Sequence, residues 1–254
     1  MQLVLPMAGL GSRFSKAGFT TPKPLITVSG KPMVVRAVED LPPVQSKTFV
    51  VHPEHVANHQ IDSVLRSYFP NARILIAPGL TAGQACTVRL AATDLEPNEE
   101  VLVAACDATH VYRREKFEAL RADPTVSAMI WGYQREPQTL INPNAYGWVR
   151  TASNQLDVLD ISCKRPASSQ PIHDFVISGF FWFRSVSLMT QAIDAMILAD
   201  HRVNGEFYLD VVPEYLLRQG HRVVVFGVDK HIGWGTPEEL HGYQCWERYF
   251  AAAG

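Results

Sequence analysis

No aspartate or glutamate occurs before Glu39 in this chain of 254 residues, although Arg13, Lys16, Lys23, Lys31 and Arg36 all fall in that stretch. Such an imbalance suits a small polyanion. It is local, because 23 Lys and Arg nearly offset 25 Asp and Glu, and a net charge of −2 argues against a nucleic acid or an anionic membrane as partner. The cysteines, Cys86, Cys106, Cys163 and Cys245, form no Cys-x-x-Cys pair, which favours reduced thiols in a cytoplasm over a disulfide framework. No apolar run approaches the roughly 18 residues of a membrane helix. No charged segment followed by an apolar one opens the chain, so we expect a cytoplasmic protein. Repeats and low-complexity linkers are missing too, so one domain over residues 1–254 is expected. The sequence leaves a homo-oligomer open.

Familiar motifs are absent as well. A P-loop needs Ser or Thr after Gly-Lys, and here Pro32 follows Gly30-Lys31. A dinucleotide fingerprint needs a third glycine where Phe14 stands. Cys106-Asp107-Ala108 lacks the Asp-x-Asp of a metal-dependent glycosyltransferase. His52, His55 and His59 have neither Cys nor a well-spaced carboxylate beside them except Glu54, so surface or capping roles are expected instead of zinc.

What is present is an α/β rhythm in a chain that is 47% hydrophobic, enough for a full core. Strands are expected at 3–7, 48–52, 73–77 and 101–105, alternating with helices at 32–41, 55–68 and 82–94. That order predicts a Rossmann-like, mainly parallel central sheet with helices on both faces. The second half reads as strands at 126–132, 147–150, 155–161, 175–183 and 222–227. Helices are expected at 186–198, 209–219 and 237–252, with Gly220 as a C-cap. It resembles a β extension of the first sheet.

Ligands of such sheets lie beyond the carboxyl ends of the strands. There the first strand empties into Ala8-Gly9-Leu10-Gly11-Ser12-Arg13-Phe14, followed by Pro22-Lys23-Pro24-Leu25. Glycine lets backbone N–H groups approach phosphate oxygens, and Arg and Lys supply charge. Asp107 follows another strand end, and Gln84 carries an amide that can read a base edge.

Leu5 to Phe14 together with Pro22-Lys23-Pro24-Leu25 resembles the N-terminal motif of the sugar-phosphate nucleotidyltransferases, or nucleotide pyrophosphorylases. The resemblance continues at Gly83-Gln84-Ala85, Cys106-Asp107, Tyr146-Gly147, Lys164-Arg165-Pro166, Ser178-Gly179-Phe180-Phe181, Asn204 to Asp210 and Trp234 to Glu238. It implies the nucleotide-diphospho-sugar transferase fold, with a nucleotide-binding part at about 1–110 and an acceptor-binding part at about 111–254. It also implies a reaction in which a phosphomonoester oxygen attacks the α-phosphorus of an NTP and pyrophosphate leaves. Arg13 and Lys23 become the catalytic cations, with Lys16 and Lys31 as helpers. Met7, Ala8, Gly9, Gly11, Ser12, Pro78, Gly83 and Gln84 become the nucleotide contacts. Lys164, Gly179, Glu206 and Tyr208 become the acceptor contacts. Trp182 and Trp234 are either pocket wall or plain core. Asp107 would hold Mg²⁺, a hard cation that prefers oxygen.

Two departures stand out. The usual metal carboxylate before the late Gly-Thr is replaced by Gly233-Trp234, leaving Asp229 and Asp210 as substitutes. The usual Glu before Lys164 is Cys163, which cannot accept from a sugar hydroxyl as a carboxylate does. That departure argues against a standard hexose 1-phosphate, so the expected acceptor is a sugar 1-phosphate of an unusual kind or a small non-sugar phosphomonoester; the resemblance implies supply of a capsule or other surface polysaccharide, and by analogy with small family members CTP is slightly preferred. No repeated hexapeptide tail follows Ala252, so no appended acyltransferase domain is expected. The rival readings are a glycosyltransferase using a nucleotide sugar and a non-catalytic nucleotide-sensing module.

Overall fold

The computed structural model describes residues 1–253. The first half alternates as foreseen. It runs β1 (Gln2–Met7), α1 (Ser12–Lys16), the hairpin β2 (Thr27–Val28) and β3 (Lys31–Pro32), α2 (Met33–Glu39) and β4 (Ser46–Val51). Then come α3 (Pro53–His59), α4 (Ile61–Tyr68), β5 (Arg73–Ile76), α5 (Gln84–Ala92) and β6 (Val101–Val103). The second half holds β7 (Ala108–Val111), α6 (Arg114–Ala122), β8 (Val126–Tyr133), β9 (Gly147–Thr151), β10 (Val158–Cys163) and β11 (Phe175–Phe183). It closes with α7 (Val186–Leu198), α8 (Val212–Arg218), β12 (Arg222–Gly227), β13 (Lys230–Gly233) and α9 (Pro237–Ala253).

Nine of the described strands form one sheet in the order β10-β9-β11-β6-β1-β4-β5, with β8 joining β11 to β12. Its first half is parallel: β1 pairs β4 and β6, and β4 pairs β5. The second half turns it into a mixed sheet, because β11 runs antiparallel to β6, β8 and β9. This is the α/β fold with a parallel core that the chain's rhythm predicts. Alternation along β1 builds the two sides of the core. Leu3, Leu5 and Met7 face α2, α4 and α6 with Phe49, Phe117 and Trp131. Val4 faces α5, α7 and α8 with Val88, Ile193 and Leu216. Each large side chain so buried contributes about 1.5–3 kcal/mol.

Several boundaries depart from the periodic pattern for local reasons. The helix expected over 55–68 is two helices, broken at Gln60, whose φ of 51° is left-handed. The strand expected at 155–161 starts only at Val158. Asn154 Oδ1 accepts from the Leu156 and Asp157 N–H groups and holds a turn there. The helix expected from Leu209 begins as a 3-10 turn, Leu209–Val211. β11 carries a bulge between Ile177 and Phe181, with Gly179 at φ 85°.

Two further features position the site. A small antiparallel pair, β7 with β13, sets Gly233 opposite Ala108 and Lys230 opposite Val111. A third apolar cluster joins Phe14 of α1, Ile26, Val28, Met33 and Ala37 to Trp234 and Leu240 at the start of α9. The glycine turn and the end of the chain are thereby packed into one unit. Trp234 and Trp182 are fully buried, which settles both as core.

Candidate active site

The glycine turn leaves β1 through Ala8 and Gly9 and enters α1 at Gly11, whose φ of 62° suits glycine. A Cβ on Gly11 would stand 3.1 Å from the Cβ of Lys23, so the turn and the lysine segment touch. Lys23 opens a 3-10 turn between Pro22 and Pro24, two rings that restrict the backbone around it. Its ammonium makes an ion pair with Asp107 across the cleft, both side chains half-buried. Burial works against both charges. The partnership outweighs it, raising the lysine pKa and lowering that of the carboxyl.

Arg13 is exposed and makes no ion pair among the described residues. Its charge is felt across the cleft by Tyr146, Tyr208 and Glu239. Lys16 is exposed as well, whereas Lys31 is tied to Glu39. Met7 lies with its side chain in the core, so only its main chain is left to a ligand. Ser12 is exposed at the first turn of α1.

Gly83 is clamped. Its φ is 136°, and a Cβ would fall 2.5 Å from the Phe207 nitrogen. Phe207 N–H donates to the Ala82 carbonyl at 2.9 Å, and Ala85 N–H donates to the Phe207 carbonyl at 3.0 Å. This clamp brings the Gly205–Glu206 loop against the start of α5. A cavity of about 370 Å³ results, lined by Ala8, Gly9, Thr81, Gly83, Gln84 and Glu206 among others. Ala8, Gly9, Gly83 and Gln84 thus converge as expected. Glu206, expected on the acceptor side, shares their cavity; of the 78–84 stretch expected as pocket wall, residues 80–84 line it and Pro78 does not, and Thr87 joins them.

The carboxylates are distributed differently from the expectation. Asp229 does not reach Asp107, because the antiparallel pairing puts it at the opposite end of the β7–β13 pair. There its N–H donates to Val111 and its carboxylate lies 3.6 Å from Arg113. Asp210 faces Gly147, Cys163 and Lys164 instead; its Oδ2 would lie 2.3 Å from a Cβ on Gly147 and is 4.0 Å from Cys163 Sγ. The carboxylate beside Asp107 is Glu239, missed in the sequence. It stands over Gly235 together with Asp107. Its one signal was the Thr-x-x-Glu spacing of a capping box at the start of α9. Among the described residues no three His, Cys, Asp or Glu side chains stand close enough to hold a metal by themselves. The donors that face the cleft are hard carboxylate oxygens, and the neighbouring Cys106 thiol is buried, its pKa pushed up to about 12. That chemistry fits Mg²⁺ held by protein carboxylates with ligand oxygens completing its shell.

Near the edge strands lies the second half of the cleft. Lys164, with φ 60°, donates through Nζ to the Ala145 carbonyl at 2.5 Å, and its ammonium stands 5.1 Å from the Tyr208 ring centre. Burial raises the Asp210 carboxyl to about 6 against the pull of Lys164, and raises the Cys163 thiol to about 12. Gly179 sits in the β11 bulge beside Ala105 at the end of β6. His52 caps α3, accepting from the Glu54 N–H at 3.3 Å; His55, expected at the surface or in a cap, is buried.

Residues 3–156 match the model of the family described as the MobA-like NTP transferase domain. Among solved structures, the chain is similar to a nucleoside-diphosphate-sugar pyrophosphorylase from Vibrio cholerae RC9, with 19% identity and a TM-score of 0.75 over 95% of this chain and 98% of that one. An inositol-1-phosphate CTP transferase from T. maritima superposes with 16% identity and a TM-score of 0.71, covering 96% and 93%. A UDP-glucose pyrophosphorylase complexed with UDP-glucose gives 14% identity and 0.72, covering 98% of both chains. At these identities the likeness is one of fold. No curated protein matches the chain.

Proposed function

Because the chain belongs to the MobA-like NTP transferase family, and so is a nucleotidyltransferase, we propose that it joins an NTP to a small phosphomonoester and releases pyrophosphate. The observation that carries this reading is the meeting of Lys23, Gly11 and Asp107 in the cleft, with Arg13, which has no ion pair among the described residues, close enough for its charge to act on Lys23. In the reaction an oxygen of the acceptor phosphate bonds to the α-phosphorus, the α–β phosphoanhydride breaks, and the electron pair leaves with pyrophosphate. Two anions must be brought together, so most of the catalysis is electrostatic.

Each group then has a task. Gly9 and Gly11 offer main-chain N–H groups to the triphosphate. Arg13 holds the β- and γ-phosphates and stabilises departing pyrophosphate. Lys23 exchanges its carboxylate partner for the phosphates and lowers the repulsion between the two substrates. Asp107 holds Mg²⁺, which when bound neutralises phosphate charge. Gln84 reads the base, and Glu206, which shares its cavity, contacts the nucleoside. Lys164 receives the acceptor phosphate and Tyr208 walls its pocket.

Cys163 and Asp210, whose carboxyl pKa burial raises, stand beside Lys164, where the rest of the acceptor would sit. They favour a small, weakly hydroxylated phosphate ester over an ordinary hexose 1-phosphate, and CTP is the preferred donor. A role in supplying precursors for a surface polysaccharide, in a cytoplasm, follows from this reading; no helix is long and apolar enough to cross a membrane among the described residues. The test is pyrophosphate release with Mg²⁺ from CTP, UTP, dTTP, ATP and GTP, each crossed with hexose 1-phosphates, phosphocholine-like esters and phosphorylated amino-acid derivatives. We expect one pair, with CTP and a non-hexose ester, to exceed the others by at least about a hundredfold. Release from no pair rejects the reading.

A further inference from the structure

The end of the chain reaches the cleft by way of two glycines. A Cβ on Gly235 would lie 3.0 Å from Asp107 Oδ2 and 3.3 Å from Glu239 Oε2. One on Gly233 would lie 3.0 Å from His231 Nε2 and 3.5 Å from Glu239 Oε2. The absence of a side chain at 235 therefore lets Asp107 and Glu239 approach over the same patch of backbone. A side chain on residue 233 would press on the His231 ring and touch Glu239.

Glu239 is held where it stands. Its Oε2 accepts from the Thr236 N–H at 3.1 Å, and its own N–H donates to Thr236 Oγ1 at 3.2 Å. This capping box satisfies the first turn of α9 with one carboxylate oxygen and leaves the other free. The start of α9 is anchored by buried Trp234 and Leu240 against Phe14, the residue that also anchors the glycine turn. Glu239 is thereby fixed relative to the phosphate loop, and the charge of Arg13 reaches it.

We propose that Glu239 is the second metal carboxylate of this enzyme, completing with Asp107 a two-carboxylate site for a divalent cation. A cation of the Mg²⁺ type is commonly held by one or two carboxylates, with substrate phosphates and waters filling the remaining positions. Asp107 and Glu239 are such a pair, set beside the proposed triphosphate site. The main-chain N–H of residue 236 holds one oxygen of Glu239, and the glycine at 235 leaves room for both carboxylates. The inference rests on the nucleotidyltransferase reading above.

The test reads metal binding and not turnover. Mn²⁺ is titrated into the full chain, and the free ion is followed by electron paramagnetic resonance. It is added alone and then with the α,β-methylene analogues of CTP, UTP, ATP and GTP in turn. Glu239→Gln keeps an amide oxygen for the Thr236 N–H and removes only the charge; it should weaken Mn²⁺ binding at least fivefold. Thr236→Ala, which loses the cap hydroxyl but keeps the carboxylate, should stay within about twofold of the wild type. A loss under fivefold in Glu239→Gln, or an equal loss in Thr236→Ala, overturns the inference. Should Glu239→Gln not fold, Glu239→Ala, which also removes the carboxylate, is measured in its place by the same criterion. Asp107→Asn separates the two readings: if it weakens Mn²⁺ and Glu239→Gln does not, only the role of Glu239 falls. If no analogue binds the wild type, the nucleotidyltransferase reading falls, and the titration with Mn²⁺ alone still judges Glu239.

Discussion

On the glycine-loop side of the cleft, Gly9, Gly11, Arg13 and Lys23 come from one short stretch of chain. On the opposite side, Ala145, Lys164, Tyr208 and Asp210 come from three separate segments. The charges differ in the same way. Lys23 has a carboxylate partner and each keeps the other ionised. Lys164 instead donates to a carbonyl, while Asp210 nearby is left to burial, with its pKa raised to about 6. On the proposed reading a constant ligand part, the triphosphate, would meet a compact motif of fixed charge. The variable part, the acceptor, would meet contacts gathered from loops and sheet edges, which can change without disturbing the motif.

That contrast can be broken by mutation. The largest effect is expected on the loop side. Lys23→Ala and Asp107→Ala should each lower kcat at least about a hundredfold, about 2.7 kcal/mol of transition-state stabilisation. Both side chains line the cleft and not the apolar core, and thermal melts should show folded protein. Near-normal turnover in either variant would break the assignment. Lys164→Ala should act through one substrate, raising the KM for the acceptor phosphate roughly tenfold, about 1.4 kcal/mol. The KM for the NTP should hardly change. An equal rise in both would mean that the two sides are not separate sites.

The smallest effect is on stability and tests Asp210. Its carboxyl is raised above the ordinary 3.8, so the folded state favours the protonated form. The stabilisation it provides is full below about pH 4 and is lost as pH rises through about 6. Asp210→Asn should therefore match the wild type at low pH. Above pH 6 it should be more stable by on the order of 1 kcal/mol, allowing for partial solvent screening. Denaturant melts from pH 4 to 8 measure this. A variant that is less stable at pH 8 would show that Asp210 is held ionised by a partner.

Legibility followed the distance along the chain over which each feature is decided. Gly11 and Lys23 meet within one motif, and an apolar run ending in glycine is local information, so their partnership was visible. The parallel first half of the sheet was visible for the same reason: Leu3, Val4 and Leu5 write a buried strand directly. Glu239 was hidden, since its spacing to Thr236 reads as a helix cap and nothing in the sequence places α9 beside Asp107. Asp229, nearer to Gly235 in sequence, was the poorer choice because antiparallel pairing carries it away. Glu206 likewise joined Gln84 through the main-chain clamp between Phe207 and Gly83, a contact with no residue signature except a glycine.

By itself, the amino-acid order determined the strands and helices of the first half and the glycine turn with its cations. These depend on periodic burial and on groups a few residues apart. The tertiary structure alone decided which carboxylates face the cleft and which lie elsewhere. The direction of β13 against β7, the space over Gly233 and Gly235, and the packing of Trp234 on Phe14 are contacts between distant segments. Their energies exist only once the chain has closed on itself.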